Sequence, residues 1–279
     1  MVVKKERLDI LLVDKGLYTS REQARRAIMA GLVLVDQQRV DKAGTKVPVE
    51  ATIEVKGQLH PYVSRGGLKL EKALRHFSID MTGKVMLDIG SSTGGFTDCA
   101  LQNGASLVYA IDVGYGQLAW KLRQDPRVVV MERTNFRYLE RDQLTEAPPN
   151  FASIDVSFIS LGLILPNLAN LLEADGEVVA LIKPQFEAGK DQVGKKGIVR
   201  DSKVHEQVIQ NTLEIAAQHH YHVKGLTYSP IRGQEGNVEF LAYFSWNPTL
   251  PVTQTSSELI VQVVKEAHGN SKAEEGSAN

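Results

Sequence analysis

Val85-Met-Leu-Asp-Ile-Gly-Ser-Ser-Thr-Gly-Gly-Phe96 reads as a buried strand, a glycine turn and the start of a helix. Val85, Met86, Leu87 and Ile89 make the short apolar run of a central parallel strand. Gly90, Gly94 and Gly95 then give a backbone without Cβ atoms, which a ligand can approach closely. Phe96 to Leu101 restarts an apolar helical period. A ligand here sits outside the carboxyl end of a strand, where open α/β sheets bind ligands. About 20 residues on, Asp112 closes a second apolar run, Leu107-Val-Tyr-Ala-Ile111. A carboxylate there can accept both hydroxyls of a ribose.

Three readings compete for this loop. Gly90-x-x-x-Gly94-Gly95 departs from the dinucleotide spacing, and no Gly-Lys-Ser/Thr follows to make a phosphate loop. Gly90-Ser-Ser-Thr-Gly94 does match the nucleophile elbow of hydrolases, with Ser92 at its tip. Asp155 and His219, His220 or His222 follow in hydrolase order. Against this, an elbow follows a strand deep inside a hydrolase sheet, whereas this strand opens its domain, and Asp112 has no task in a hydrolase. A plain tight turn is the third reading. The nucleoside-type cofactor accounts for most of the residues, and Asp88-x-Gly-x-x-x-Gly-Gly resembles the first motif of S-adenosylmethionine-dependent methyltransferases.

The chain has 279 residues, enough for one ordinary domain and a small one. Its net charge of −1 gives no global basic field, so nucleic-acid binding has to come from local clusters. The one cysteine, Cys99, excludes an intramolecular disulfide, fits a reducing compartment and reads as a small core residue. The start lacks an apolar signal region and no stretch approaches the ~20 apolar residues of a membrane span. The expectation is a cytoplasmic protein with no membrane partner.

Residues 1–59 read as a compact basic unit. Arg7-Leu-Asp-Ile-Leu-Leu-Val13 has helical spacing up to Gly16, and Thr19-Ser-Arg-Glu22 reads as a capping box for a helix over Ser20 to Ala30. Arg21 and Arg25 share its edge, with Arg26 nearby. Short strands follow at Leu32-Val-Leu-Val35 and Ile53-Glu-Val-Lys56. A cationic helix edge suits a phosphate backbone, and it suits a solvated surface equally. The order Arg7-Leu-Asp…Ser20-Arg…Ala24-Arg25…Gly31…Val35-Asp36…Lys46-Val resembles the small S-four RNA-binding domain, which implies binding to structured RNA through the second helix.

His60 to Gly67 reads as a linker carrying Arg65, a further RNA-contact residue, and Leu68 to Phe77 as a helix with Lys69 off its apolar face. From there to 268, strands and helices alternate, as in a parallel sheet with helices on both faces. Strands are expected at Arg127–Met131, Ala152–Val156, Glu177–Ile182, Val223–Tyr228 and Val238–Phe244, with an amphipathic helix over Val204–Ala217. Gly189 to Asp201 reads as a mobile loop near the site, and 269–279 as a disordered tail. The fold class is therefore α/β, a Rossmann-like methyltransferase sheet behind a small N-terminal α+β unit.

The carboxyl end of this sheet gathers Asp155, Lys183 and Glu239, with Lys69 from the preceding helix. Two lysines and two carboxylates make an alternating charge set. A ribose hydroxyl is a poor nucleophile until a base takes its proton, and a partly buried lysine beside a second ammonium suits that task. Gly67-Leu-Lys69, Asp88-Ile-Gly-Ser-Ser-Thr-Gly-Gly-Phe96, Asp155-Val-Ser-Phe-Ile-Ser160, Lys183-Pro-Gln-Phe-Glu187 and Gly236-Asn-Val-Glu239 resemble the TlyA family of FtsJ-like ribose methyltransferases, historically called hemolysin A. The resemblance covers about residues 4 to 246. It implies S-adenosylmethionine as cofactor, 2′-O-methylation of cytidine in ribosomal RNA or ribosomal subunits, and a tetrad of Lys69, Asp155, Lys183 and Glu239 with Lys183 as base. It also implies cofactor roles for Asp88, Gly90, Asp112 and Asn135, with Ser91, Gly94, Gly95 and Phe96 completing the loop. His219-His-Tyr-His222 lacks a cysteine or carboxylate to complete a metal set, so no metal is expected. Tyr115 and Trp120 suit either the cofactor's flank or the core. The competing functions are a non-catalytic ribosome-assembly factor and a membrane-active hemolysin. Intact tetrad residues oppose the first, and the lack of a spanning stretch opposes the second.

Overall fold

The computed structural model describes residues 4–56, 60–252 and 255–276. The chain folds into two compact units, Met1–Pro61 and Tyr62–Asn279. The first holds β1 (Lys5–Arg7), α1 (Leu8–Asp14), α2 (Arg21–Met29), β2 (Val33–Val35), β3 (Gln38–Arg39), β4 (Lys46–Pro48) and β5 (Ile53–Val55). β1 pairs with β4, and β2 lies between β3 and β5, all antiparallel. Leu8, Leu11 and Leu12 of α1 close on Ala24, Ala27 and Ile28 of α2 and on Val33 and Val47. The cap of α2 is displaced by one residue from the sequence expectation. Ser20, in extended conformation, accepts from Gln23 N, so the cap is Ser20-x-x-Gln23.

In the second unit, α3 (Gly67–His76) leads into β6 (Val85–Ile89), α4 (Gly95–Gln102), β7 (Leu107–Ile111), α5 (Trp120–Arg123) and β8 (Val128–Met131). Then come β9 (Phe151–Ile154), α6 (Leu165–Leu171), β10 (Gly176–Ile182), α7 (Pro184–Glu187), α8 (Ser202–Gln218), β11 (Tyr221–Tyr228), β12 (Phe240–Trp246) and α9 (Ser257–Gly276). The seven strands run in the order β11-β12-β10-β9-β6-β7-β8. β12 is antiparallel to both its neighbours and the remaining pairings are parallel. Successive strand residues face opposite sides. Leu87, Ile89, Tyr109 and Ile111 pack with Leu165, Leu168, Ile209 and Val263, while Met86, Val108 and Ala110 pack with Leu70, Ala73, Cys99 and Ala100.

The order turns back between β6 and β9. β7 and β8 extend from one side of β6, and β9 and β10 from the other. The crevice at this switch point is where such sheets take ligands. Gly90 sits in it, and a Cβ there would come within 2.5 Å of the Asp155 carbonyl oxygen. Gly94 caps α4 from the left-handed region at φ 94°.

Several boundaries differ from the expectation. Part of the linker over 60–67 belongs to the second unit, because Tyr62 is buried against Leu70 and Cys99 and Val63 N donates to Asp98. An aromatic ring with a core to enter does not stay in a free linker. β12 starts at Phe240, two residues later than read, so Glu239 precedes the strand. The loop over 189–201 is pinned, since Asn237 donates to the Gly197 carbonyl and accepts from Val199 N. Helix α9 continues to Gly276 across most of the expected tail, in keeping with the good helix formers Lys272-Ala-Glu-Glu275. Residues 277–279 lie outside those described.

Candidate active site

The register of the sheet assembles the charged set. Ile182 of β10 pairs with Phe240 of β12, so Lys183 leaves one strand where Glu239 enters the next. Asp155 follows Ile154 of β9, and Lys69 reaches the same place from α3. Lys183 Nζ lies 2.5 Å from Asp155 Oδ1, Lys69 Nζ lies 3.2 Å from Asp155 Oδ2, and Lys69 Nζ lies 2.9 Å from Glu239 Oε2. The four predicted side chains thus form one chain, Lys183–Asp155–Lys69–Glu239. The Lys183–Asp155 and Lys69–Glu239 contacts are close charge pairs whose carboxylate oxygens lack well-aligned hydrogen bonds.

Burial is the largest influence on both central groups, and paired charge overrides it. Burial acts against the charge on Lys69, yet Asp155 and Glu239 together hold its pKa above the usual lysine value. Burial likewise acts to raise Asp155, but Lys69 and Lys183 bring it below the usual carboxylate range. Lys69 is thereby fixed as a cation between two anions. Lys183 touches one carboxylate and donates to Ser157 Oγ at 3.2 Å. Gln185 Nε2 donates to Glu239 Oε1 at 3.3 Å. Glu187 accepts from Ser160 Oγ and Leu161 N, tying the Lys183 loop to the loop after β9, and burial pushes its pKa up. Ser157, Gln185 and Glu187 stand inside motifs the sequence displays, but only the fold shows what they touch.

Three cavities line up at this end of the sheet. A chamber of about 260 Å³ holds the tetrad with Gly90, Ser91, Gly95 and Phe96. A crevice of about 480 Å³ continues from it past Asp112, Asn135, Phe136 and Phe158. Asp112 accepts from Ser92 N at 2.8 Å and Gly114 N at 2.7 Å, one on each oxygen. Each oxygen has a second lone pair for a ribose hydroxyl. Asn135 Oδ1 caps the short turn over Phe136–Tyr138, which leaves its NH₂ as the half for recognition. Ile89, Ile111, Ile159 and Ile164 make the crevice apolar enough for a flat base.

Asp88 has a different place from the one read in its motif. It is fully buried, with Oδ2 accepting from Thr97 N and Thr97 Oγ1 and Oδ1 accepting from Ser153 Oγ. Burial raises its pKa to about 6, since its partners are neutral hydroxyls and an amide. It ties β6 to α4 and to β9, and it lines neither cavity. Ser92 has a positive φ of 48° and donates to Gln117. His219 and His220 join α8 to β11 and His222 lies in β11, at the opposite end of the sheet, where Tyr221 and Gly176 pair with Trp246. No hydrolase triad can form from them.

In the first unit, Arg7 and Arg21 converge on one acid. Asp9 is fully buried and accepts from Arg7 Nε at 2.9 Å, Arg7 Nη2 at 3.0 Å and Arg21 Nη2 at 3.0 Å. These hydrogen bonds, led by those from Arg7, lower the Asp9 pKa to about 2. Arg25 stays exposed on α2, and Arg26 turns to the His60 carbonyl. The sequence pairs Arg21 with Arg25, whereas the fold pairs it with Arg7 through Asp9. Arg65 of the second unit is exposed at the mouth of the tetrad chamber.

Fold and site together define a Rossmann-like methyltransferase unit that follows a small basic α+β unit in the chain. The chain belongs to the FtsJ-like methyltransferase family, whose model matches residues 62–246, and residues 6–53 match the S4 domain. It is 57% identical over 96% of both chains to a provisionally named rRNA methyltransferase, YqxC, of Bacillus subtilis. It is 43% identical to the 16S/23S rRNA (cytidine-2′-O)-methyltransferase TlyA of Mycobacterium tuberculosis, over 88% of this chain and 90% of that one. A solved structure from Streptococcus thermophilus with a provisional hemolysin name shares 51% identity at a TM-score of 0.79, over 99% of this chain and 100% of that one. No helix among the described residues is long and apolar enough to cross a membrane.

Proposed function

We propose that this protein transfers a methyl group from S-adenosylmethionine to the 2′-hydroxyl of a cytidine in ribosomal RNA. The observation that carries the reading is the unbroken chain Lys183–Asp155–Lys69–Glu239 beside a crevice lined by Asp112 and Asn135. The TlyA relative supports cytidine and rRNA as the substrate. The crevice fits the cofactor, with apolar walls for adenine and Asp112 for the ribose hydroxyls. Glycine backbone at Gly90 and Gly94 lets a ligand approach closely.

When bound, S-adenosylmethionine supplies an electrophilic methyl on a sulfonium. Lys183 holds the substrate 2′-oxygen and takes its proton. Asp155 orients Lys183 and, through its other oxygen, Lys69. Lys69, held protonated by two carboxylates, is the poorer base and serves as a fixed cation. Glu239, steadied by Gln185, keeps Lys69 in place. Asp88 ties β6 to α4 and to β9. Arg7, Arg21 and Arg25 bind the RNA backbone through the first unit, and Arg65 does so near the chamber.

The test is transfer of a radiolabelled methyl group to bare ribosomal RNA and to isolated subunits, followed by mapping of the product. Label on a cytidine 2′-oxygen is expected. Absence of transfer to every RNA form, with cofactor binding intact, would leave an RNA-binding assembly factor as the reading.

A further inference from the structure

The third cavity, about 670 Å³ in volume, lies on the other side of the tetrad chamber from the crevice. Chamber and cavity share Arg65, Ile231, Arg232 and Glu239, whereas chamber and crevice share Gly90, Ser92, Asp155 and Ser157. The two outer cavities have no lining residue in common. The tetrad therefore stands between two spaces, one suited to an adenosine and one of different chemistry.

That chemistry is cationic with an apolar wall. Arg65, Lys72 and Arg232 line the cavity, and its one acid, Glu239, is already engaged by Lys69 and Gln185. Lys72 Nζ sits over the Tyr228 ring, 3.3 Å from its centroid. Pro230 and Ile231 continue the apolar wall. Burial lowers the pKa of Lys72, and Glu266 offsets this only in part, so an incoming anion would relieve an under-compensated charge. Lys72 also stands three residues after Lys69 on α3. Side chains at that spacing share a helix face, with Cβ atoms ~5–6 Å apart.

We propose that this cavity is the subsite for the nucleotide following the modified one, with Lys72 on the 3′ phosphodiester of the target ribose and the next base against Tyr228. The inference rests on the proposed function and deepens it. In RNA the 2′-hydroxyl and the 3′-phosphate occupy adjacent carbons of one sugar. When the hydroxyl is at Lys183 and Asp155, its phosphate must therefore lie within about one helical turn, and α3 presents Lys72 at that offset. An aromatic wall beside cations is how proteins hold unpaired nucleotides without reading their sequence.

The test is a coupling experiment on full-length protein. Ribosomal RNA is assembled by ligation with a neutral methylphosphonate either 3′ or 5′ to the target nucleotide, and single-turnover methylation is measured. The unmodified protein should lose about 10-fold or more in kcat/KM with the 3′ change, the scale of one charge-assisted hydrogen bond. Lys72→Ala and Lys72→Gln should show a similar loss on native RNA and no further loss with the 3′ change. Lys72→Arg, which keeps the charge, should restore the sensitivity. Cofactor affinity, measured by calorimetry, reports the integrity of the fold. If Lys72→Ala and Lys72→Gln respond to the 3′ change as fully as the unmodified protein does, the subsite assignment is wrong. Coupling to the 5′ change alone would reverse the strand polarity and also overturn it. Failure of the unmodified protein to methylate native RNA would sink the functional reading itself, an outcome separate from either.

Discussion

Each unit of the protein sets one carboxylate between two cations, and the two arrangements differ in which cations they use and how far those face solvent. Asp9 holds Arg7 and Arg21, whose side chains remain 42% and 56% exposed. Asp155 holds Lys69 and Lys183, whose side chains are 10% and 9% exposed. Both acids fall below the usual carboxylate range because of their partners. The difference lies in the cation. A guanidinium stays charged and offers several donors in a fixed fork, so an arginine pair held at its base by Asp9 can meet phosphates with its free donors. An ammonium can give up its proton, so a lysine pair held out of water can do chemistry. Under the proposed function, one electrostatic unit would serve as a grip where its cations face solvent and as a proton-handling device where they do not.

The strongest way to break the comparison is at Lys183. General-base catalysis contributes ~10²–10⁴-fold, so Lys183→Ala should lose about that much in single-turnover rate with saturating RNA. Cofactor affinity should stay near normal, because Asp112 and the glycine loop are untouched. Lys183→Arg should not rescue turnover, since a guanidinium remains protonated. Turnover of Lys183→Arg near the unmodified rate would show that a fixed cation suffices, and the two carboxylate-centred devices would then be the same in kind.

The exposed arginines give the next largest effect. Replacing both Arg7 and Arg21 by alanine should weaken RNA binding by about 10²-fold, from ~1.5–3 kcal/mol per charged hydrogen bond. The salt dependence of log Kd should flatten by about one to two units. The methylation rate on saturating RNA should be preserved, as should cofactor affinity. An unchanged salt slope would mean that Asp9 merely neutralises its partners.

A smaller effect separates Asp112 from Ser92 beside the tetrad. Asp112→Ala removes the acceptor of Ser92 N and Gly114 N as well as the ribose carboxylate, and should weaken cofactor binding by about 10-fold on the scale of one charged hydrogen bond. Ser92→Ala keeps the backbone donor and should stay within about twofold in activity, on the scale of ordinary surface changes. Calorimetric titration of the cofactor checks both. Loss of activity in Ser92→Ala with normal cofactor binding would revive the nucleophile-elbow reading.

The strands and the loops that follow them were legible in the sequence, because apolar runs ending at Ile89, Ile111, Ile154 and Ile182 announce where polar residues must emerge. That Lys183 and Glu239 stand at the ends of neighbouring strands, each paired to a different partner, was not legible from local pattern. It depends on β12 entering antiparallel between β10 and β11, and strand order is a property of the whole sheet. Asp9 was missed for a related reason. Around Asp9 the leucines of Leu8-Asp-Ile-Leu-Leu12 dominate the helical pattern, and although Arg7 stands two residues away, Arg21 is twelve residues on and comes to Asp9 only when α2 packs on α1. Asp88 shows the converse. Its motif reads as a ligand contact, while its actual partners, Thr97 and Ser153, become visible only when α4 folds back over β6 and β9 pairs alongside it.

Asp88 also supplies the smallest test, since it is a buried carboxylate paired with no cation. Its pKa is raised to about 6, against 3.8 for the exposed group. Between those values the folded state binds more protons than the unfolded one, so Asp88 contributes stability below pH ~4 that is lost as pH rises through about 6. Asp9 and Asp155 have depressed values, so their contributions are present at neutral pH and disappear in acid. Both tryptophans, Trp120 and Trp246, lie in the second unit, so fluorescence during denaturant unfolding reports the unit that contains Asp88. Relative to Asp88→Asn, the unmodified protein should gain stability as pH is lowered from 7 to 4.5, with a slope no steeper than ~1.4 kcal/mol per pH unit. Above pH 7 the difference should be flat. A difference that instead shrinks as pH falls would mean that the Asp88 carboxylate is stabilised as an anion. The contrast between carboxylates held by hydroxyls and those held by cations would then fail.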